Sequence, residues 1–387
     1  MKSSKKIVIV VIGCLVAVSF MSSCQKASKL SVSPPAGREF GKPFIAVEHV
    51  CAWPNLTLMP DGSIIATIFN KPSHGAVPGD IECWASEDSG WTWQYRGTPA
   101  PHEGNSNRMN CAAGLARNGD LIVLVSGWSN PGGEPNNKLP ALVFRSSDGG
   151  CTWNISGELP VSPAGTVFVP FGDIIIADDG TLRAGVYTDG TSYMLNSEDD
   201  GYTWQITSAI STPGAEPAMF HPGAEKWLVA NRIAGSGNEY LPSWYGAHLE
   251  LSHSEDDGKT WRKGEQITEA GQHPAHILRL KDGRLLLTYG DRHSERLGIG
   301  YRFSSDDGKT WGEPMWIVKH LDSGDLGYPS SVQRADGKIV TAFYASLLSE
   351  GQKYKWDEKA TRYEDFETLP DDYYMGVVIW EPLPYKK

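Results

Sequence analysis

Ser254-Glu255-Asp256-Asp257-Gly258-Lys259-Thr260-Trp261 decides the fold, because the stretch recurs. The pattern Ser-x-Asp-x-Gly-x-Thr-Trp returns at Ser86–Trp93, Ser146–Trp153, Ser197–Trp204 and Ser304–Trp311. Ser and Asp side chains in such a stretch bond the backbone of their own turn. The glycine supplies a backbone angle that other residues resist. The tryptophan is a large apolar anchor between strands. The motif is therefore a folding device, and its carboxylates belong to a turn, not to an active site.

Working outward, an apolar run, a tight turn and a second apolar run precede each copy, the signature of a β-hairpin. The turns are Pro60–Ser63, Arg117–Asp120, Asp178–Thr181, His221–Ala224, Lys281–Arg284 and Ala335–Lys338, which makes six hairpins against five boxes. The last unit replaces its box with an insertion around Lys353 to Asp371 and a strand at Met375–Trp380. Each unit reads as a hairpin, a third strand, the box turn and a fourth strand. Four antiparallel strands repeated six times predict an all-β, six-bladed β-propeller over residues 44–387. The apolar stretch Phe44–Val47 is expected to help close the ring.

The bulk composition agrees. The 387 residues include 42 Gly and 14 Trp, and only 21% are charged, a profile of short strands, tight turns and aromatic packing. The first residues read as an export leader. Lys2, Lys5 and Lys6 precede an apolar stretch, Ile7–Phe20, too short to span a membrane. Met21-Ser22-Ser23-Cys24 then reads as a lipidation site at Cys24, followed by a Ser-, Pro- and Gly-rich tether over 25–43. The chain is thus expected to be exported and lipid-anchored to a bacterial membrane, on the periplasmic or the cell-surface side. The formal net charge is −11, and removing the leader makes it three more negative. With no basic run, nucleic acid is not an expected partner. Cys51, Cys83, Cys111 and Cys151 match no zinc spacing and read as buried small residues, with Cys51–Cys111 as a candidate disulfide. No cofactor or metal is implied.

Strand directions locate the site. The hairpin turns and the boxes share one face, so the starts of first strands and the ends of second strands meet on the other, near the axis. Those positions carry Trp53, Asn55, His74, Asp80, Glu82, Arg108, Asn110, Phe171, Tyr187, Glu216, Arg232, His273, His276, Tyr289, Asp291, Arg292, Arg296, Asp325, Tyr328 and Tyr344.

The boxes, in this number and spacing, resemble the sialidase (neuraminidase) superfamily from about Phe44 to Trp380, and within it the uncharacterised BNR-repeat lipoproteins more than proven sialidases. The resemblance implies a tyrosine nucleophile, a glutamate that activates it, an aspartate acid/base and three arginines on the substrate carboxylate; tyrosine nucleophiles are an exception among glycosidases. Glu216-Pro217 matches the activating glutamate, and Gly327-Tyr328-Pro329-Ser330-Ser331 resembles the nucleophile segment. Arg232, with Arg292 or Arg296, matches the clamp. Two positions depart from the pattern. Ala52 stands where the first clamp arginine belongs, in Cys51-Ala52-Trp53-Pro54, and His74-Gly75 stands where the acid/base aspartate precedes a glycine.

Several of these residues read in more than one way. His74 reads as acid/base or as a loop histidine bonding backbone. His273 and His276 read as sugar-binding groups or, with Asp291, as metal ligands. Arg232 and Arg292 grip an acidic sugar, or bridge to Glu216 and Asp291. Trp53, Tyr187 and Tyr344 stack on sugars or fill the core. The insertion Gln352–Asp372, with Tyr354, Trp356, Tyr363 and Phe366, caps the site or is a solvated spacer.

The expected function is a sialidase-like glycoside hydrolase acting on a terminal, acidic sugar. Tyr328 and Glu216 form the nucleophilic pair, with His74 or Asp80 as acid/base. Arg232, Arg292, Arg296, His273, His276, Trp53, Asn55, Asn110, Tyr289 and Asp325 contact substrate. A uronate-specific polysaccharide lyase and a non-catalytic glycan-binding propeller are the alternatives on this scaffold.

Overall fold

The computed structural model describes residues 34–235, 246–293, 295–347 and 372–385. The export leader with Cys24, the tether up to residue 33 and all of the insertion but its last residue lie outside the described residues. Among the described residues the structure is all-β, with no helix. The first strand is β1 (Phe44–Glu48). Strands β2 (Cys51–Leu58), β3 (Ile64–Phe69), β4 (Ile81–Ser86) and β5 (Gln94–Ala100) form one antiparallel sheet. Next come β6 (Asn107–Leu115), β7 (Leu121–Trp128), β8 (Lys138–Ser146) and β9 (Asn154–Glu158), then β10 (Val169–Ile176), β11 (Leu182–Thr188), β12 (Thr191–Ser197) and β13 (Gln205–Ser211).

Strands β14 (Ala215–Gly223), β15 (Lys226–Ile233), β16 (His248–Ser254) and β17 (Arg262–Gln266) form a further sheet. So do β18 (Gln272–Arg279), β19 (Leu285–Asp291), β20 (Gly298–Ser304) and β21 (Met315–Lys319). The last sheet holds β22 (Gly327–Gln333), β23 (Ile339–Ser346) and β24 (Tyr373–Trp380), with β1 on its outer edge. Phe44 pairs with Val377 there, so the chain's first strand closes its last sheet.

Four sheets are separate four-stranded units, whereas β6–β9 and β10–β13 form one continuous eight-stranded sheet. The join is a short parallel pairing of β10 with β6, Gly172 against Ala112 through Ile174 against Gly114. Gly114 makes that approach possible: a Cβ there would lie 2.6 Å from the Ile174 carbonyl oxygen. The first strands adjoin in a closed ring, β2 against β6, β6 against β10, then β14, β18, β22 and β2 again. This is a propeller-like arrangement.

Each box forms the same local net. In the fourth, Asp256 accepts from the Thr260 backbone N–H at 2.9 Å and from its hydroxyl at 2.6 Å. Ser254 Oγ accepts from the Gly258 N–H at 2.9 Å and donates to Asp256 at 2.8 Å. Gly258 has φ +75°, and a Cβ on it would lie 2.4 Å from Met194 Sδ of the neighbouring unit. The boxes thus tie their turns and also seat one unit against the next. Apolar residues fill the space between units: Ile64 and Ile68 of β3 pack with Val340 and Ile379 of the last sheet. Full burial of one such side chain contributes about 1.5–3 kcal/mol.

Hairpin turns and boxes share a face, as the strand directions predict. The Arg117 N–H donates to Asp200 at 2.7 Å, the Ala224 N–H reaches Asp178 at 2.7 Å, and Arg279 bonds Asp307 at 2.8 Å. The candidate disulfide is corrected. Cys51 and Cys111 are free and buried. Cys111 Sγ lies 3.7 Å from Thr67 Oγ1 instead. Both thiols sit among apolar and aromatic side chains of the ring interior.

Candidate active site

The site face begins with unusual backbone. Ala52 (φ 40°), Trp53 (φ 78°), Glu216 (φ 45°) and Tyr328 (φ 49°) are left-handed non-glycine residues at the starts of β2, β14 and β22. Strand pairing slips next to each, between Cys51 and Asn55, Ala215 and Ala218, and Gly327 and Ser330. Such bulges re-aim side chains, and a left-handed non-glycine residue costs of order 1–3 kcal/mol. Gly327 (φ +118°) lets the start of β22 lie against the end of β19, where a Cβ would come 3.1 Å from the Gly290 Cα. The chain therefore holds Glu216 and Tyr328 in conformations that an ordinary strand would not give them.

These bends bring two distant residues together. The Tyr328 hydroxyl donates to Glu216 Oε1 at 2.5 Å, and Arg232 Nη1 lies 2.9 Å from the same oxygen. Arg232 Nη1 also donates to the Tyr328 hydroxyl at 3.4 Å. The Glu216 side chain is only 4% exposed, whereas Arg232 keeps 25%. Burial and the Glu216 charge push the Tyr328 phenol well above its ordinary pKa, so the resting phenol is neutral. Burial opposes the Arg232 charge, but Glu216 outweighs it and raises the guanidinium's pKa. Tyr187, at the end of β11, is also held neutral, by burial and then by Glu216. The arrangement sets a neutral phenol against a carboxylate able to accept its proton, with Arg232 balancing the carboxylate charge.

A second group faces the first. His74 Nδ1 lies 3.1 and 3.2 Å from the two oxygens of Asp325. The Tyr344 hydroxyl donates to Asp325 Oδ1 at 2.5 Å, and the Tyr373 hydroxyl donates to Oδ2. Burial disfavours a charged imidazole, yet Asp325 outweighs it and raises the His74 pKa. Burial likewise opposes the Asp325 charge, but His74 and then Arg292 hold that carboxyl well below its usual range. Arg292 is buried, and its Nη1 donates to the Gly324 carbonyl at 3.5 Å. Its Nε has no hydrogen-bond partner among the described residues. Aromatic rings join the two groups. Trp53 packs edge-on to His74 at 5.6 Å and tilted on Tyr328 at 5.2 Å, and Phe171 meets Tyr328 at 6.0 Å.

Ala52 leaves no hole. It is 1% exposed and packs in a cluster with Cys51, Met109, Tyr328, Tyr344 and Tyr373. A long basic side chain at this position would have to enter that apolar and aromatic cluster.

Of the residues picked from the sequence, Tyr328, Glu216, Arg232, Arg292, His74, Asp325 and Trp53 gather here, with Tyr187, Tyr344 and Phe171. Others do not. Asp80 is engaged by the His102 ring at 2.6 Å and by Asn70 at 3.1 Å, in the loop before β4. Arg296 lies 2.8 Å from Glu269 and 3.3 Å from Asp291. Asp291 is itself spent on Gln272, His293 and Trp316. Tyr289 is fully buried among the apolar side chains of its unit, and His273 is fully buried too. Arg108 is tied to the Pro140 carbonyl at 2.7 Å, and Asn110 is buried on β6.

Asn55 and His276 line a cavity that Trp53, Phe171 and Tyr328 also line. Each bonds Asp173, at 3.1 and 3.0 Å. No group of three or more His, Cys, Asp or Glu among the described residues is arranged to hold a metal ion.

Tyr373 escaped the sequence reading. It opens a third strand, β24, whereas strand direction singles out the starts of first strands and the ends of second strands. The Tyr373-Tyr374 pair just after the insertion was the available signal.

Comparison with known proteins agrees with this fold. A family model described as a BNR repeat-like domain matches residues 54–341. A sialidase of Micromonospora viridifaciens is 28% identical over 287 residues, covering 69% of this chain and 36% of its own length, so the chain spans about a third of that relative. A Dyadobacter fermentans protein of unknown function superposes with a TM-score of 0.69 at 20% identity, over 88% of this chain and 99% of that one. A variant of the NanB sialidase from Streptococcus pneumoniae gives 0.68 at 12% identity, over 90% and 71%. The chain belongs to the BNR repeat-like family of the sialidase superfamily.

Proposed function

We propose that this chain is an exported, lipid-anchored glycoside hydrolase that removes a terminal acidic sugar from a glycan. The observation that carries this reading is the 2.5 Å hydrogen bond from the Tyr328 hydroxyl to the buried Glu216 carboxylate. A tyrosine bonded to a general base is the arrangement a nucleophile requires, and a phenol is not repelled by a substrate carboxylate as an aspartate would be. Tyr328 attacks the anomeric carbon while its proton passes to Glu216 Oε1. His74, whose charged form Asp325 favours, protonates the departing oxygen; as neutral imidazole it then takes a proton from the water that displaces Tyr328 and frees the sugar, while Glu216 returns its proton to the Tyr328 oxygen. Arg292, whose Nε is unpaired, and Arg232 receive the substrate's carboxylate. With Ala52 in place of a third arginine, the carboxylate is held by two cations.

The uronate lyase reading needs His74 or a tyrosine as a proton acceptor from the start; Asp325 disfavours the neutral imidazole, and burial and then Glu216 disfavour the Tyr328 phenolate. The fold unit is residues 44–387, and the eight-stranded sheet counts as two blades joined at their inner strands, making six. Cys24 carries the lipid.

The test is a panel of terminal acidic glycosides, read for reducing ends and for ultraviolet absorbance. Release of the terminal sugar without new absorbance is expected, with turnover lower by about 10²–10⁴-fold in Glu216→Gln. Wild-type rates in Glu216→Gln and Tyr328→Phe would overturn the assignment, and products that absorb in the ultraviolet would make the chain a lyase.

A further inference from the structure

The hydrolase reading does not explain why a second carboxylate, Asp325, sits beside the site with three partners and no free role. Its oxygens are taken by Tyr344 on one side, Tyr373 on the other and His74 Nδ1 across both. Two neutral hydroxyls can only donate to it, so the carboxylate keeps its charge and a fixed plane. A sugar hydroxyl would have to displace one of these contacts. We infer that Asp325, clamped by Tyr344 and Tyr373, is a positioning residue that fixes the His74 ring with Nδ1–H on the carboxylate and Nε2–H turned to the leaving group.

The inference rests on the reading of His74 as the acid, and the geometry adds why a histidine can do that work here. A neutral imidazole has one N–H and two tautomers. A carboxylate on Nδ1 selects the tautomer and favours the doubly protonated ring, as the buried aspartate of a serine protease triad does for its histidine. The other groups that face His74 pull in both directions. Arg292, at the end of β19, disfavours its charge, and Glu216, at the start of β14, favours it. The Trp53 and Tyr344 rings wall the imidazole edge-on at 5.6 and 6.0 Å, so it cannot swing away from Asp325 without leaving the site. The His74 side chain stays 34% exposed, the open part of an otherwise walled ring.

The experiment combines proton NMR titration of the His74 ring with rates on two glycosides of the hydrolysed sugar, one with a good aryl leaving group and one with an alkyl leaving group. It uses the wild-type chain, Asp325→Asn and Tyr373→Phe. In Asp325→Asn the His74 titration and the alkaline limb of kcat/KM are expected to fall together by about one pH unit or more. The rate loss is expected to be largest for the alkyl glycoside, which needs the proton, and small for the aryl one. Tyr373→Phe removes a donor from Asp325 without removing the charge, so the His74 titration is expected to rise slightly. An unchanged His74 titration in Asp325→Asn overturns the positioning role, whatever the rates do. A titration that falls while the alkaline limb and the leaving-group dependence stay put overturns instead the reading of His74 as the acid.

Discussion

Tyr328 and Glu216, 112 positions apart, share a 2.5 Å hydrogen bond, and both have left-handed backbone. Neither strand start reaches the other without its bulge. Arg232 completes the trio on the same Glu216 oxygen. Removing Arg232 leaves a buried carboxylate unpaired, which costs about 3 kcal/mol or more. Arg232→Ala is therefore expected to lower the urea midpoint clearly. Tyr328→Phe, which keeps the ring in its aromatic cluster, is expected to unfold close to wild type while losing turnover. Equilibrium urea unfolding of the two variants checks the contrast, and equal midpoints would contradict it.

His74 gives the pH dependence its sign. Asp325 raises its pKa, so the charged form persists above the ordinary histidine range. The proton that the proposed mechanism uses is therefore lost as pH rises through a value above the ordinary histidine one. Its stabilising pairing with Asp325 follows the same course, complete below the ordinary histidine pKa of about 6.5 and fading as pH climbs through the folded-state value. A kcat/KM profile whose alkaline limb lies above the ordinary histidine pKa is expected. His74→Gln is expected to abolish that limb and cut the rate on poor leaving groups by about 10²–10⁴-fold.

The fold was legible because its signal is repeated and local. A box such as Ser254–Trp261 closes on its own backbone, so the sequence carries it whole, and the face rule follows from strand direction alone. The site was legible only in part. Glu216, Tyr328 and Arg232 are strand ends that the rule selects, and they meet. Asp80, Arg296 and Tyr289 satisfy the same rule, but Asp80 and Arg296 sit in loops beside their strands and Tyr289 is buried in the core, so local partners decide where they point. His102, Glu269 and the interior of β19 and β20 then claim them. Tyr373 lay outside the rule, and the union of β6 with β10 depends on one missing Cβ at Gly114, which no periodicity reveals.

Ala52 bears on specificity. The resemblance places an arginine there, and in the structure Ala52 is buried in one cluster with Tyr328, Tyr344 and Tyr373. Ala52→Arg is thus expected to lower the melting temperature, since a cation enters an apolar, close-packed site at φ 40°. It is also expected to gain no activity on sialic acid conjugates. Efficient sialic acid release by a stable Ala52→Arg protein would show instead that the aromatic cluster yields to a third clamp residue.

The ring interior makes a prediction about thiols. Cys51, Cys83 and Cys111 are free and buried. Burial raises all three, Cys83 to about 12 and Cys111 to about 11. The reactive species is the thiolate, so alkylation of the native protein at neutral pH is expected to spare these residues and to modify all three after denaturation. Peptide mapping with iodoacetamide before and after urea checks this, and a Cys51–Cys111 linked peptide would contradict it.

The boxes, finally, set the acid limit of the fold. Asp256 is lowered to about 2 by its bonds to Thr260 and Ser254. Asp148, Asp199 and Asp306 are lowered as well, slight burial being outweighed by their Thr and Ser donors. A carboxyl depressed in the folded state stabilises it above the unfolded value of about 3.9, and that contribution drains away as pH falls through the folded value. Stability is therefore expected to drop between about pH 4 and pH 2 as the turns lose their acceptors together. Asp256→Asn keeps an acceptor oxygen but no charge, so its stability deficit is expected to be largest at neutral pH and to vanish near pH 2. Melting temperatures of wild type and Asp256→Asn across that window check the sign, because a deficit independent of pH would mean that the box is held by shape and not by charge.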